Sequence, residues 1–145
     1  MKVLYTAEAT ATGDGRNGHV VTSDGLIDTD VRHPVELGGT GGATNPEQLF
    51  AAGYSACFHS ALRRVAQRAK ADATGSQVTA KVGFGALNPN QFGLTVALDI
   101  ALPAVPREQA EQLVALAHQV CPYSNATRGN IDVVLTVVDC ADVSA

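Results

Sequence analysis

The segment Thr44-Asn45-Pro46-Glu47-Gln48-Leu49-Phe50-Ala51-Ala52-Gly53-Tyr54-Ser55-Ala56-Cys57-Phe58-His59 decides how the rest of this chain is read. Pro46 disfavours helical geometry in the residue before it and suits the first helical position itself. Asn45 is then the N-cap, and Gln48 stands where it can complete a capping box. The helix is expected to run to about Lys70, with Arg63, Arg64, Arg68 and Lys70 at the negative end of its dipole. Its opening turns are apolar on nearly every side, the mark of a helix buried all round. Cys57 sits in the middle of it. A thiol so placed is either an inert small hydrophobe or a group set up to react.

On the N-terminal side, residues 2–10 alternate, with Val3, Tyr5, Ala7 and Ala9 on one face and Lys2, Thr6 and Glu8 on the other. That is the pattern of a half-buried strand. Gly13-Asp14-Gly15-Arg16-Asn17-Gly18 reads as a loop holding one arginine among conformationally tolerant residues. His19–Thr22 and Leu26–Val31 flank Ser23-Asp24-Gly25, a hairpin signal, and His33-Pro34 ends the strand. Gly38-Gly39-Thr40-Gly41-Gly42 is expected to be a mobile loop. No Gly-Lys-Ser/Thr follows it, so it is not a phosphate loop.

On the C-terminal side, Gln77–Phe84 alternates, and Leu87-Asn88-Pro89-Asn90 turns the chain. Phe92, Leu94, Val96, Leu98, Ile100 and Leu102 then give the clearest period of two in the sequence, so the two strands form a hairpin. Pro106 opens a second helix with an apolar stripe at Leu113, Leu116, Ala117 and Val120, and Pro122 stops it near Cys121. A helical turn closed at Gly129 leads to a last strand over Ile131–Val138. The order βββ-α-ββ-α-β groups strands with strands, which predicts an α+β fold with mainly antiparallel sheet around a buried central helix. One domain spans 1–145. A sheet covers only one side of the first helix and the chain supplies one other substantial helix, so a second subunit is expected to cover the rest, as a homodimer.

Hydrophobic residues make up 46% of the 145, enough for a real core. The formal charge of -4 argues against nucleic acid or an anionic membrane as a partner. No apolar run is long enough to span a membrane and the N-terminus lacks a leader pattern, so the expected location is cytoplasmic. Three cysteines, Cys57, Cys121 and Cys140, are too few for a disulfide framework. In a reducing compartment cysteines that pair do so transiently.

Cys57 and Cys121 admit two readings. They are buried structural cysteines, or they are a redox pair in which one thiolate attacks an oxidant and the other resolves the product. Cys121 precedes a proline, at a break where backbone can shift. Cys140 lies between Asp139 and Asp142, whose charges disfavour a thiolate, so it is the weakest nucleophile. His118 and Cys121 share one helix face, but Cys57 and His59 point to different sides and no Cys-x-x-Cys exists. Neither a metal nor another cofactor is expected. A cysteine-nucleophile hydrolase and a non-catalytic redox sensor or binding module stay open beside the redox enzyme.

The runs Asn45–Phe58 and Val120-Cys121-Pro122-Tyr123-Ser124-Asn125-Ala126-Thr127-Arg128-Gly129-Asn130 resemble the two signature segments of the organic hydroperoxide resistance (Ohr) family, a branch of the Ohr/OsmC group of thiol peroxidases. The similarity extends over essentially the whole chain, including Gly15-Arg16-Asn17-Gly18, with no departure at the functional positions. The resemblance implies an intertwined homodimer and a two-cysteine peroxidase that reduces alkyl or fatty-acid hydroperoxides to alcohols. Cys57 would be the peroxidatic thiolate, Cys121 the resolving thiol, and Arg16 and Glu47 their polar partners. It also implies a lipoyl dithiol, carried on a protein, as the reductant.

Physical chemistry supplies roles for the last two residues. A buried thiol is a poor nucleophile unless a cation favours its thiolate, and Arg16 stays charged at any relevant pH. Glu47 can hold the guanidinium bidentately. Without the resemblance, Arg16 reads as a solvated loop charge and Glu47 as a first-turn acid favoured by the helix dipole. Glu47 precedes Cys57 by ten residues, about 15 Å along one straight helix. Arg16 and Glu47 are therefore expected to reach Cys57 of the other subunit, with the sites at the dimer interface. Tyr54, Phe92 and Tyr123 are candidates for an apolar approach to the sulfur.

Overall fold

The computed structural model describes residues 1–139; Cys140 and whatever it does lie outside the described residues. The described residues form an α+β fold, with two three-stranded sheets and three α-helices. The chain forms two compact units, divided between Leu49 and Phe50. Among the described residues no helix is long and apolar enough to cross a membrane.

The first unit is built on an antiparallel sheet in the order β1 (Ala9–Asp14), β2 (Asn17–Thr22), β3 (Asp28–Asp30). Asp14 pairs with Asn17, so the expected loop shrinks to a two-residue turn, Gly15-Arg16. Gly15 has φ 62°, which a primed hairpin turn requires at its first central position. A side chain at Gly18 would collide with the Thr12 carbonyl, which keeps the pairing beside the turn tight. Arg16 is thus presented at a rigid hairpin tip.

The Asp-Gly turn between β2 and β3 forms as expected, with Gly25 at φ 74° and Asp24 accepting the Leu26 N–H at 3.0 Å. The strand expected over residues 2–10 starts only at Ala9. Val3, Leu4 and Tyr5 are 64%, 88% and 79% exposed, because their apolar face meets no partner strand among the described residues. The glycine run is tied down rather than loose. Gly39 and Gly41 donate to the Pro34 and His33 carbonyls, and a Cβ on Gly39 would strike the His33 backbone.

Helix α1 (Pro46–Arg68) begins at the expected cap: the Asn45 side chain accepts the Gln48 N–H at 2.8 Å. The capping box is not closed, since the Gln48 side chain takes the Thr44 hydroxyl instead. At the other end Lys70 adopts a left-handed φ of 56°. Ala71 and Lys70 donate to the Ala66 and Gln67 carbonyls, the pair of bonds of a Schellman motif.

In the second unit β4 (Gln77–Asn88) and β5 (Gln91–Ala101) form the expected hairpin, and β6 (Val134–Val137) adds parallel to β5. A parallel neighbour needs a crossover, supplied by α2 (Arg107–Val120) and α3 (Pro122–Thr127). The core packs Tyr54, Phe58, Leu62, Val65 and Ala66 of α1 on Val96, Leu98 and Ile100 of β5 and on the inner face of α2. That face is Ala110, Leu113, Val114 and Ala117; the Leu116 and Val120 assigned to it from periodicity are about half exposed. Their positions fall one step round the helix from the buried stripe. Within this chain α1 buries a single stripe, and Ala52, Ala56 and Ser60 on its other side are exposed.

Candidate active site

Pro122 has no N–H to continue α2, so the chain breaks at Cys121 and restarts. Cys121 serves both helices. Its N–H closes α2 on the Ala117 carbonyl at 2.9 Å, and its own carbonyl accepts the first α3 bond from Asn125 at 2.9 Å. Its side chain is fully buried and its Sγ lies 3.7 Å from Sγ of Cys57, both as free thiols. A disulfide needs about 2.05 Å, so the sulfurs must close by roughly 1.7 Å. Burial pushes the Cys57 thiol above its ordinary range. The Tyr123 backbone N–H, in the first turn of α3, opposes that push, and the neighbouring Cys121 sulfur adds to it.

A polar chain, buried at Tyr54, Ser124 and Thr127 and half-buried at His118, braces the joint. The Tyr54 hydroxyl, from α1, meets Ser124 Oγ at 2.8 Å and Thr127 Oγ1 at 3.2 Å, both on α3. His118 Nδ1, from α2, meets the same Ser124 Oγ at 2.8 Å. Burial first, and the Arg128 charge second, hold His118 below its ordinary pKa, so its ring is neutral near pH 7. Tyr123 packs against Tyr54 and Phe50 with centroids 5.5 and 6.1 Å apart. A Cβ at Gly53 would lie 2.6 Å from the Tyr123 hydroxyl oxygen, so glycine makes room for that ring. Beside Cys57 opens a groove of about 520 Å³, lined by Ser60, Ala61, Arg64, Arg68, Val120 and Pro122.

In the first unit, Arg16 and Glu47 form the expected bidentate pair, Nη1 to Oε2 at 3.0 Å and Nη2 to Oε1 at 2.8 Å. The hydrogen-bonded guanidinium holds the Glu47 carboxyl below the usual carboxylate range although burial pushes the other way. Glu47 in turn raises the Arg16 pKa. The pair is therefore a fixed ion pair at any pH near neutrality. The Gly15 turn and the first turn of α1 aim its two halves at each other.

With two cysteine sulfurs 3.7 Å apart, one in the middle of α1 and the other where Pro122 separates α2 from α3, the chain matches over residues 39–136 a family described as OsmC-like protein. The chain belongs to the OsmC-like family. Its relatives place it in the organic hydroperoxide resistance branch. It is 55% identical to the organic hydroperoxide resistance protein of Xanthomonas axonopodis pv. citri, over 94% of this chain and 96% of that one. It is 44% identical to OhrB of Bacillus subtilis, over 91% and 96%. Among solved structures, an organic hydroperoxide resistance protein from Elizabethkingia anophelis superposes with TM-score 0.90 at 56% identity, covering 96% of this chain and 99% of that one. One from Vibrio cholerae, with captopril bound in one of its active sites, gives 0.88 at 52%, covering 94% of each.

Of the residues singled out in this OsmC-like chain from sequence, Cys57 meets Cys121 and Arg16 meets Glu47. The apolar approach is drawn differently. Tyr54 is fully buried and so forms scaffold rather than wall, and Phe92 lines a separate groove with Phe50, Leu87 and Leu94. His118, weighed from sequence as a metal ligand, is held by Ser124. Ser124, Thr127 and the cations of the Cys57 groove escaped sequence reasoning. Serine and threonine inside a polar run carry no periodic signal, and Arg64 and Arg68 read as dipole-compensating charges.

Proposed function

We propose that this protein is a thiol peroxidase that reduces organic hydroperoxides, with the role in organic hydroperoxide resistance that its relatives' names carry. The observation that supports this most is the 3.7 Å between Cys57 and Cys121 Sγ. Cys57 thiolate attacks the distal oxygen of ROOH. The O–O bond breaks, RO⁻ leaves and takes a proton as the alcohol, and Cys57 becomes a sulfenic acid. Cys121 Sγ then attacks that sulfur, water leaves, and a Cys57–Cys121 disulfide remains. A dithiol of the dihydrolipoyl type, carried on a protein, returns both thiols by exchange and is itself oxidised to the cyclic disulfide.

The raised Cys57 thiol needs a cation to react near neutral pH. Arg16 of the partner subunit, clamped by that subunit's Glu47, supplies it in an intertwined homodimer. Exposed Val3, Leu4 and Tyr5 and the open Ala52-Ala56 side of α1 give such a partner apolar surface to cover. The hydrolase reading finds little support among the described residues. His59 Nε2 bonds Ser76 and His118 Nδ1 bonds Ser124, and among the described residues no histidine bonds either sulfur.

The test is consumption of tert-butyl hydroperoxide and of hydrogen peroxide with dihydrolipoamide as the only reductant. We expect catalytic turnover, faster with the organic peroxide, and none with Cys57→Ser. Absence of turnover in the wild type, or full activity in Cys57→Ser, overturns the peroxidase. Oxidation of the pair without turnover would instead make the protein a redox sensor.

A further inference from the structure

The groove beside Cys57 is not simply apolar. On α1, Arg64 and Arg68 follow Cys57 by seven and eleven residues, within about 20° of the same helical meridian and about 10 and 16 Å further along the axis. All three residues line one groove, together with Ser60, Ala61, Val120 and Pro122. Neither arginine has a carboxylate partner among the described residues. The adjoining cavity, which Arg64 shares, holds Asp72, but that carboxylate accepts the Thr74 N–H at 2.9 Å. The groove thus offers a sulfur at one end, apolar surface between, and two uncompensated guanidinium groups at the other, on a chain of net charge -4.

Resting on the peroxidase reading, we propose that Arg64 and Arg68 form a carboxylate subsite that selects long-chain hydroperoxides carrying an acid head group. The head pairs with the guanidinium forks, the chain lies on Ala61, Val120 and Pro122, and the peroxide reaches Cys57. Planar forks suit a carboxylate bidentately. A single exposed pair would contribute little. Two cations converging on one carboxylate beside apolar walls contribute more, because less water competes for it. The axial separation acts as a ruler: a short acid can satisfy the arginines or the sulfur but not both.

The test compares linoleic acid hydroperoxide, its methyl ester and tert-butyl hydroperoxide in the wild type and in Arg64→Gln/Arg68→Gln. The wild type is expected to favour acid over ester at least tenfold in kcat/KM, with the preference shrinking as salt rises. In the variant KM for the acid rises about to that of the ester, while the ester and tert-butyl hydroperoxide are unchanged. Equal rates for acid and ester in the wild type overturn the subsite, as does an equal loss on all three peroxides in the variant. So does a variant that keeps the acid preference but is re-reduced more slowly by a lipoylated protein, since the cations then serve the reductant. A second readout does not need turnover: linoleate, but not methyl linoleate, should slow alkylation of Cys57 by iodoacetamide, and only when the arginines are present. If no peroxide is turned over but this protection holds, the peroxidase reading fails and the subsite stands. If neither acid nor ester protects, the subsite fails by itself.

Discussion

Cys57 and Cys121 hold their sulfurs 3.7 Å apart across 64 residues of sequence, one in the middle of α1 and the other at the joint of α2 and α3. At the joint Cys121 has extended backbone (φ -67°, ψ 124°) between two helices, and its buried sulfur already faces Cys57. A resolving thiol so placed should trap the oxidised Cys57 faster than a second peroxide can. With Cys121→Ser, one equivalent of organic hydroperoxide is expected to leave Cys57 as a sulfenic acid, heavier by one oxygen in the intact mass. Further peroxide should carry it to the sulfinic and sulfonic acids. Wild type under the same conditions should lose two hydrogens and resist further addition. Equal resistance of the serine variant to over-oxidation would remove Cys121 from the cycle.

Burial favours the neutral thiol, and the cation proposed to offset it is Arg16, which Glu47 keeps charged. In Arg16→Ala the pH at which Cys57 becomes half thiolate is expected to rise by about 1–3 units, the usual effect of an opposite charge at close range. Below the midpoint each unit removes about tenfold of the thiolate, so the rate near neutral pH falls and recovers only at alkaline pH. Glu47→Gln should do less to the midpoint, since Arg16 keeps its charge, and more to the rate at every pH through the lost clamp. Iodoacetamide alkylation of Cys57 against pH reads the midpoint directly. An unchanged midpoint in Arg16→Ala would separate Arg16 from the sulfur.

Whether the arginine comes from the partner is settled by mixing. Arg16→Ala and Cys57→Ser homodimers are each expected to be nearly inactive. In a mixed dimer with the sites built across subunits, one site collects both substitutions and the other collects neither. Refolding an equal mixture should therefore restore activity, to on the order of a quarter of wild type, because half the dimers are mixed and each has one intact site. A site contained in one chain gives no recovery at all. The assay is turnover after co-refolding against each variant refolded alone.

Much of this was legible in the chain itself, and the reasons differ by element. The start of α1 is local chemistry, and Asn45-Pro46 declares it. The alternation from Phe92 to Leu102 declares β5, because one face of that strand packs on the core. The N-terminal alternation misleads for the converse reason: its apolar side is covered by nothing among the described residues, so period two alone does not make Val3 and Tyr5 a strand. The cysteine pair and Arg16–Glu47 came through resemblance, since contact across 64 and 31 residues has no spacing rule. The Tyr54–Ser124–His118 chain had neither signal.

That polar chain makes a stability prediction in which order matters more than size. Tyr54→Phe deletes a buried hydroxyl, yet neither partner is orphaned: Ser124 Oγ keeps His118, and Thr127 Oγ1 still donates to the Ser124 carbonyl at 3.1 Å. The expected cost is that of one net hydrogen bond, about 1 kcal/mol. Ser124→Ala removes the atom that both Tyr54 and His118 bond, leaving His118 Nδ1 without its partner and Tyr54 with only the longer contact to Thr127. An unsatisfied group costs about 1–3 kcal/mol where it is fully buried and less at the half-buried His118, so Ser124→Ala should still be the more damaging although it deletes the same single oxygen. Urea unfolding with unchanged m-values checks this, the midpoint falling further for Ser124→Ala. Because Ser124 follows Cys121 by three residues on the α3 side of the joint, the same variant should also slow disulfide closure after a peroxide pulse, whereas Tyr54→Phe should barely affect it. A Tyr54→Phe variant less stable than Ser124→Ala would show that the hydroxyl, not the serine, anchors the joint.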